Sequence, residues 1–120
     1  MIDRAFAEAF AAEWIAAWNA HDLERILSHY ADDFEMASPL IVERMGEPSG
    51  RLRGKAAIRP YWGAATAKRE IHFTLLDVLL GVDALTILYR RETGQLVAET
   101  IAFDAARRAV RAAAHYGPRP

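Results

Sequence analysis

Large apolar side chains recur at every fourth position near the start of the chain: Phe6, Phe10, Trp14 and Trp18, with Ala9, Ala12, Ala16 and Ala17 between them. That spacing predicts an amphipathic helix over residues 3–19, filled in by the strongest helix former. Asn19-Ala20-His21 breaks the period. Asp22 is placed to cap a second, short helix from Leu23 to His29, whose Leu23, Ile26 and Leu27, with the following Tyr30, turn inward. Ala31-Asp32-Asp33 reads as a turn, because aspartate side chains bond their own backbone and favour bends. Phe34 to Ser38 reads as a short strand stopped by Pro39. Residues 40–53, with Gly46, Pro48 and Gly50, read as a long connection of the kind that serves as a lid or binding segment, ending in a short strand at Arg51–Arg53. A third helix opens at Gly54-Lys55 and runs to about Lys68, bent at Pro60, with Ile58, Tyr61, Trp62 and Ala65 on its apolar face.

From His72 onward the period changes from helical to alternating. Four strands are predicted: His72 to Leu80, Leu85 to Arg91, Gln95 to Phe103 and Ala109 to Tyr116. The connections between them are of hairpin length, so the strands form an antiparallel meander. Helices first and strands last give a single α+β domain over residues 1–120, with three helices on one face of a curved, mainly antiparallel sheet and a small, mostly apolar pocket between the layers. The run from His72 to Leu80 is apolar on both faces. Helices cover only one, so a homodimer joined through the other sheet face is expected.

Composition narrows the function classes. Hydrophobic residues make up 52% of the 120 and charged ones 26%, as in ordinary globular chains. The formal charge of -1, from 15 basic and 16 acidic residues, gives no pull toward nucleic acid or an anionic membrane. The basic stretches Arg51, Arg53, Lys55 and Arg107, Arg108, Arg111 are interrupted and read as solvated faces. With no cysteine there is no disulfide scaffold, thiolate metal site or thiol nucleophile. His21, His29, His72 and His115 show no ligand spacing, so no metal site is expected. Asp3, Glu8 and Glu13 interrupt the first apolar run, which therefore reads as neither signal peptide nor membrane span, and a cytoplasmic protein is expected.

Four short motifs, in order along the chain, are Trp18-Asn19-Ala20-His21-Asp22-Leu23, Tyr30-Ala31-Asp32-Asp33, Gly54-Lys55-Ala56-Ala57-Ile58-Arg59 and His115-Tyr116-Gly117. In sequence and spacing they resemble the nuclear transport factor 2-like superfamily, closest to its SnoaL-like and ketosteroid-isomerase-like branches. The resemblance implies a cone-shaped cystatin-like α+β roll whose mouth takes a ligand, in a superfamily whose members include isomerases, cyclases, dehydratases, epoxide hydrolases and non-enzymes. Carried over position by position, the isomerase's general base falls on Ser38, its oxyanion-hole tyrosine on Trp14 and its second, protonated acid on Glu99. A serine is no unassisted base and an indole cannot share a proton like a phenol, so authentic ketosteroid isomerisation is not expected.

Glu99 is the most informative single residue. Alternation places it in a row with Val97, Ile101 and Phe103, where a carboxylate is costly to ionise and its pKa should rise. A neutral acid there can donate a hydrogen bond to a ligand oxygen or shuttle a proton; the plainer account is a glutamate at the mouth paired with an arginine. His72 is the expected catalytic partner, with His115 on a more solvated face. Phe34, Met36 and Ser38 share one strand face and, with Trp14, Trp18, Tyr61, Trp62, Ile101 and Phe103, are expected to line the ligand pocket. Asp32 and Asp33 are accounted for by a turn, Glu13 by an exposed helix edge and Asp77 by an arginine partner. Together these readings point to a small-molecule pocket protein, binding an apolar carbonyl or polyketide-like compound and catalysing isomerase-, dehydratase- or cyclase-type proton transfer with no cofactor. The alternative is a non-catalytic ligand-binding or dimerisation module of the same fold.

Overall fold

A computed structural model describes residues 1–120. The aromatic stripe lies on α1, Arg4–Asn19, whose first turn is closed by Asp3 accepting a hydrogen bond from the Phe6 amide at 2.8 Å. Asp22 caps α2, Leu23–Leu27, in the same way through the Arg25 amide at 3.1 Å. β1 spans Tyr30–Ala37, α3 Pro39–Met45, β2 Arg51–Arg53 and α4 Lys55–Thr66. The meander follows as β3, Thr74–Leu80; β4, Ala84–Arg90; β5, Leu96–Phe103; and β6, Ala109–Tyr116. All six strands form one sheet in the order β2-β1-β6-β5-β4-β3. Every pairing is antiparallel except β1 with β6, so the α+β class and the mainly antiparallel sheet are as the pattern predicts.

Three local readings need correction. Asp32 and Asp33 belong to β1 rather than to a turn before it. Their bend survives as a register shift between Tyr30 and Glu35 against β6, and both are paired with cations of the next segment, Asp32 with Lys55 at 3.5 Å and Asp33 with Arg53 at 3.8 Å. The connection after Ser38 contains a fourth helix. Ser38 Oγ accepts from the Leu40 amide at 3.1 Å, Pro39 occupies the first turn, and Gly46 stops the helix in the left-handed region at φ +66. Serine, proline and glycine there are start and stop signals, which resemble loop breakers when no long apolar period lies between them. Finally, β3 begins at Thr74, and a bulge between Leu75 and Asp77 shifts its alternation. Asp77 is thereby left exposed, accepting from its neighbour's amide (Val78, 2.8 Å) rather than from an arginine.

The core lies between the helices and the inner sheet face. Trp14, Trp18, Trp62, Phe34, Phe73 and Tyr89 mesh there at centroid distances of 4.5 to 6.0 Å, within the range of favourable aromatic packing. Glu13 is not a free edge charge. Arg25 grips it through two hydrogen bonds of 2.6 and 2.8 Å and His29 adds a third contact at 3.1 Å, tying α1 to α2 and the start of β1. The Arg25 bonds hold its carboxyl down at about 2. No helix is long and apolar enough to cross a membrane.

Candidate functional site

Strand alternation sets the site. On β5, Val97, Glu99, Ile101 and Phe103 point to the helices, and Glu99 lies opposite Ile87 of β4 and Ala114 of β6. Apolar side chains on both neighbouring strands leave its carboxyl no cross-strand partner. Glu99 is 3% exposed, forms no ion pair and accepts no hydrogen bond from the protein. Burial alone pushes its pKa up from the ordinary 4.5 to about 8. At neutral pH roughly nine in ten molecules therefore carry it as the neutral acid.

The carboxyl faces a cavity of about 50 Å³ lined by residues of α1, α3, α4 and the inner sheet face. Fourteen residues line it and Glu99 is the single acid among them, with no histidine: the walls are Trp14, Trp18, Met36, Leu40, Tyr61, Trp62, Ala65, Ile71, Phe73, Tyr89 and Tyr116, and Arg44 and Arg91 complete the lining. That volume holds a few water molecules or the end of a small organic group, not a polycyclic body. Leu40, Arg44, Arg91 and Tyr116 also line a larger hollow of about 460 Å³, so they lie where the two adjoin.

The tyrosines around the chamber cannot act as bases near neutrality. Burial raises Tyr61, Tyr89 and Tyr116 above the ordinary phenol value, and Tyr30 behind them likewise. Trp14 Nε1 donates to the Tyr30 hydroxyl at 3.0 Å, and the Tyr61 hydroxyl donates to Ser38 Oγ at 3.4 Å. Trp18 Nε1 is the one fully buried side-chain nitrogen or oxygen with no partner, and its indole is part of the chamber wall. No group of three or more His, Asp and Glu side chains converges to hold a metal ion.

Of the pocket residues expected from sequence, Trp14, Trp18, Met36, Tyr61, Trp62 and Glu99 are brought together at the chamber. Four others lie outside its lining. Phe34 is packed between Tyr30 and Trp62 at 4.3 and 5.4 Å, and Ile101 is wholly buried in the core. Phe103 sits at the far end of β5 against Phe6 and Phe10 at 5.3 and 4.9 Å. Ser38 is buried as the cap of α3, one layer behind Tyr61. His72 does not meet Glu99. Ile71 and Phe73 take the inward positions of the segment before β3, which turns the imidazole between them out to solvent. His115 is exposed as well, beside the Ala98 carbonyl at 3.4 Å.

Sequence reasoning missed Phe73, Tyr89, Tyr116, Arg44 and Arg91. Tyr89 was within reach, because it shares parity with Leu85 and Ile87 and faces Val97 across β4 and β5. Nothing in the pattern marks the two arginines, which owe their position to the unforeseen α3 and to the end of β4.

Comparison with known proteins agrees with this architecture. A family model described as a SnoaL-like domain matches residues 11–117. A crystal structure of a SnoaL-like protein of unknown function from Burkholderia thailandensis is 52% identical, covers 98% of each chain and superposes with a TM-score of 0.94. A protein of unknown function with a cystatin-like fold from Methylobium petroleophilum is 20% identical over 99% of this chain and 81% of that one, with a TM-score of 0.74. An epoxide hydrolase/cyclase-like enzyme, SalBIII, of pyran ring formation in the polyether salinomycin is 14% identical over 98% and 95% of the two chains, with a TM-score of 0.71. The last two likenesses are of fold alone. No functionally curated protein matches the chain.

Proposed function

The chain belongs to the SnoaL-like family, and we propose that it is a small-molecule enzyme of acid–base type in which Glu99 moves a proton to and from an oxygen-bearing, otherwise apolar compound. One observation carries this reading: a buried carboxyl group with no protein partner faces a mostly apolar chamber. A group whose pKa lies near the working pH is the most effective proton donor and acceptor, and burial has brought Glu99 there. In its neutral form it donates a hydrogen bond to a carbonyl or ether oxygen, stabilising negative charge that develops on that oxygen. Its proton passes to the carbonyl oxygen while a water molecule takes one from the adjoining carbon, and the enol so formed returns its O–H proton to the carboxylate as the carbon takes one from solvent, so Glu99 acts as a shuttle. The cyclase-like neighbour shows that the same fold accommodates enzymes, and supports this reading only to that extent.

The test is solvent-deuterium incorporation at the carbon next to the carbonyl of small ketones. Wild type is expected to accelerate it, with a rate that falls as pH rises through about 8 and the acid form is lost. Glu99→Gln is expected to lose at least about a hundredfold, the usual scale of general acid–base catalysis. Equal rates for the two proteins would remove the catalytic reading. A second reading, a binding module, draws on one observation: Glu99 has no second acid or base beside it in the lining. It predicts ketone binding without exchange.

We also propose that a second copy of the chain covers the outer sheet face. Leu76 and Leu79 are 46% and 54% exposed, and the centre of the face is small and flat, with Thr86 and Thr100 hydroxyls 3.0 Å apart. Arg111 and Asp83 line one shallow hollow there with Thr100 and Ala102, and neither has an ion-pair partner within the chain, so a two-fold-related copy can match them crosswise. Sedimentation should give twice the chain mass for wild type and the single-chain mass for Thr100→Arg. A monomeric wild type contradicts the proposal.

A further inference from the structure

The acid–base reading leaves the other end of the chamber unused. Leu40, Arg44, Arg91 and Tyr116 border both the chamber and the adjoining hollow, and two of those four are guanidinium groups. Arg44, on α3, makes no ion pair or hydrogen bond within the chain. Arg91, just beyond β4, is held in place by Gln95 Oε1 at 3.2 Å and lies 3.7 Å from Glu92, with its side chain 18% exposed. The adjoining hollow has Arg44, Arg91 and Arg119 against Glu43; Arg119 is taken up by Glu43 at 2.6 Å and Arg91 is paired with Glu92 at 3.7 Å, which leaves Arg44 as the uncompensated cation. An unpaired guanidinium, Arg44, and a second one that Glu92 compensates in part, Arg91, thus border the apolar chamber that also holds the neutral acid.

We infer that the ligand is an amphiphilic monocarboxylate: the oxygen-bearing tip of its apolar part reaches into the aromatic chamber toward Glu99, and its carboxylate lies in the adjoining hollow on Arg44 and Arg91. The inference rests on the acid–base reading for the inner end and adds the class and direction of the ligand. The reverse orientation is ruled out by the same physics that keeps Glu99 neutral, since a second carboxylate at the inner end would lie unpaired in apolar surroundings. Planar guanidinium forks match a carboxylate, and a half-buried arginine gains more from an anion than one fully in water.

The experiment uses three probes of one shape: 4-acetylbenzoate, its methyl ester and acetophenone, with binding measured by calorimetry at pH 7. Wild type is expected to bind the acid at least about tenfold more tightly than either neutral probe, the scale of one charge-assisted contact. Arg44→Gln and Arg91→Gln are each expected to reduce that preference and the double variant to abolish it, while Arg91→Lys retains part of it. Arg44 is exposed and unpartnered, so its replacement carries no folding penalty that would confuse the result. Glu99→Gln is expected to change the affinity of all three ketones alike and leave the acid-to-ester ratio where it was. Equal affinity of wild type for acid and ester, no binding of either, or a preference that survives in the double variant overturns the inference. None of those outcomes alters the pKa of Glu99 or its exchange chemistry, on which the acid–base reading is judged separately.

Discussion

Glu99→Gln is expected to make the protein more stable than wild type by a margin that grows with pH. Below pH 4.5 the carboxyl is protonated in the folded and the unfolded chain alike, and burying it carries no ionisation cost. Between 4.5 and about 8 the unfolded chain releases the proton while the folded chain keeps it, so wild-type stability declines as pH rises. Above about 8 both states are ionised and the loss is complete. A displacement of that size corresponds to on the order of 4 to 5 kcal/mol, an upper limit because the chamber admits some water. Glutamine has the same shape and does not titrate. The difference in unfolding free energy between the two proteins, followed by urea denaturation from pH 4 to 9, should be level at the acid end, climb through the window and level again. A difference that stays constant with pH means that the carboxyl is solvated.

Trp62→Ala is the second large effect, because Trp62 joins the core to the chamber. Its ring is 3% exposed and meets Trp18, Tyr30 and Phe34 at 5.5, 5.1 and 5.4 Å, and its inner face lines the cavity. Truncation removes these contacts and leaves a void against a rigid aromatic cluster, at about 3 to 5 kcal/mol. Much of a small domain's stability is lost with it. The enlarged space is continuous with the chamber, so added indole should bind there and restore roughly 2 to 3 kcal/mol at a hundredfold excess over its dissociation constant. Thermal unfolding with and without indole checks this. Destabilisation with no rescue means that the surrounding helices collapse into the gap and the chamber wall is not preorganised.

The architecture was legible because its signals are periodic. Four aromatic residues at intervals of four define α1, and alternation around Glu99 gives both the strand and the inward direction of the carboxyl. Legibility failed where a single residue decides. The bulge in β3 moves Asp77 to the surface, and no alternation pattern announces a bulge. α3 is seven residues long, too short for a periodic signature, and with it went the chance of placing Arg44 beside the chamber. His72 shows the opposite failure. It was a sound chemical candidate on type, but it lies one position from two inward residues and so faces water. Phe34, Ile101 and Phe103 point inward as expected and still miss the chamber, because the interior is mostly filled and only its Glu99 end is open.

Everything proposed for the chamber requires that Glu99 stay protonated at neutral pH. Carbon-13 labelling of glutamate side chains, with the Glu99 resonance assigned by its loss in Glu99→Gln, reports this directly as pH is varied. The expected result is a carboxyl that titrates near pH 8, several units above the solvent-exposed glutamates of the same protein. A midpoint close to 4.5 would place the group in contact with bulk water and leave no neutral acid in the chamber.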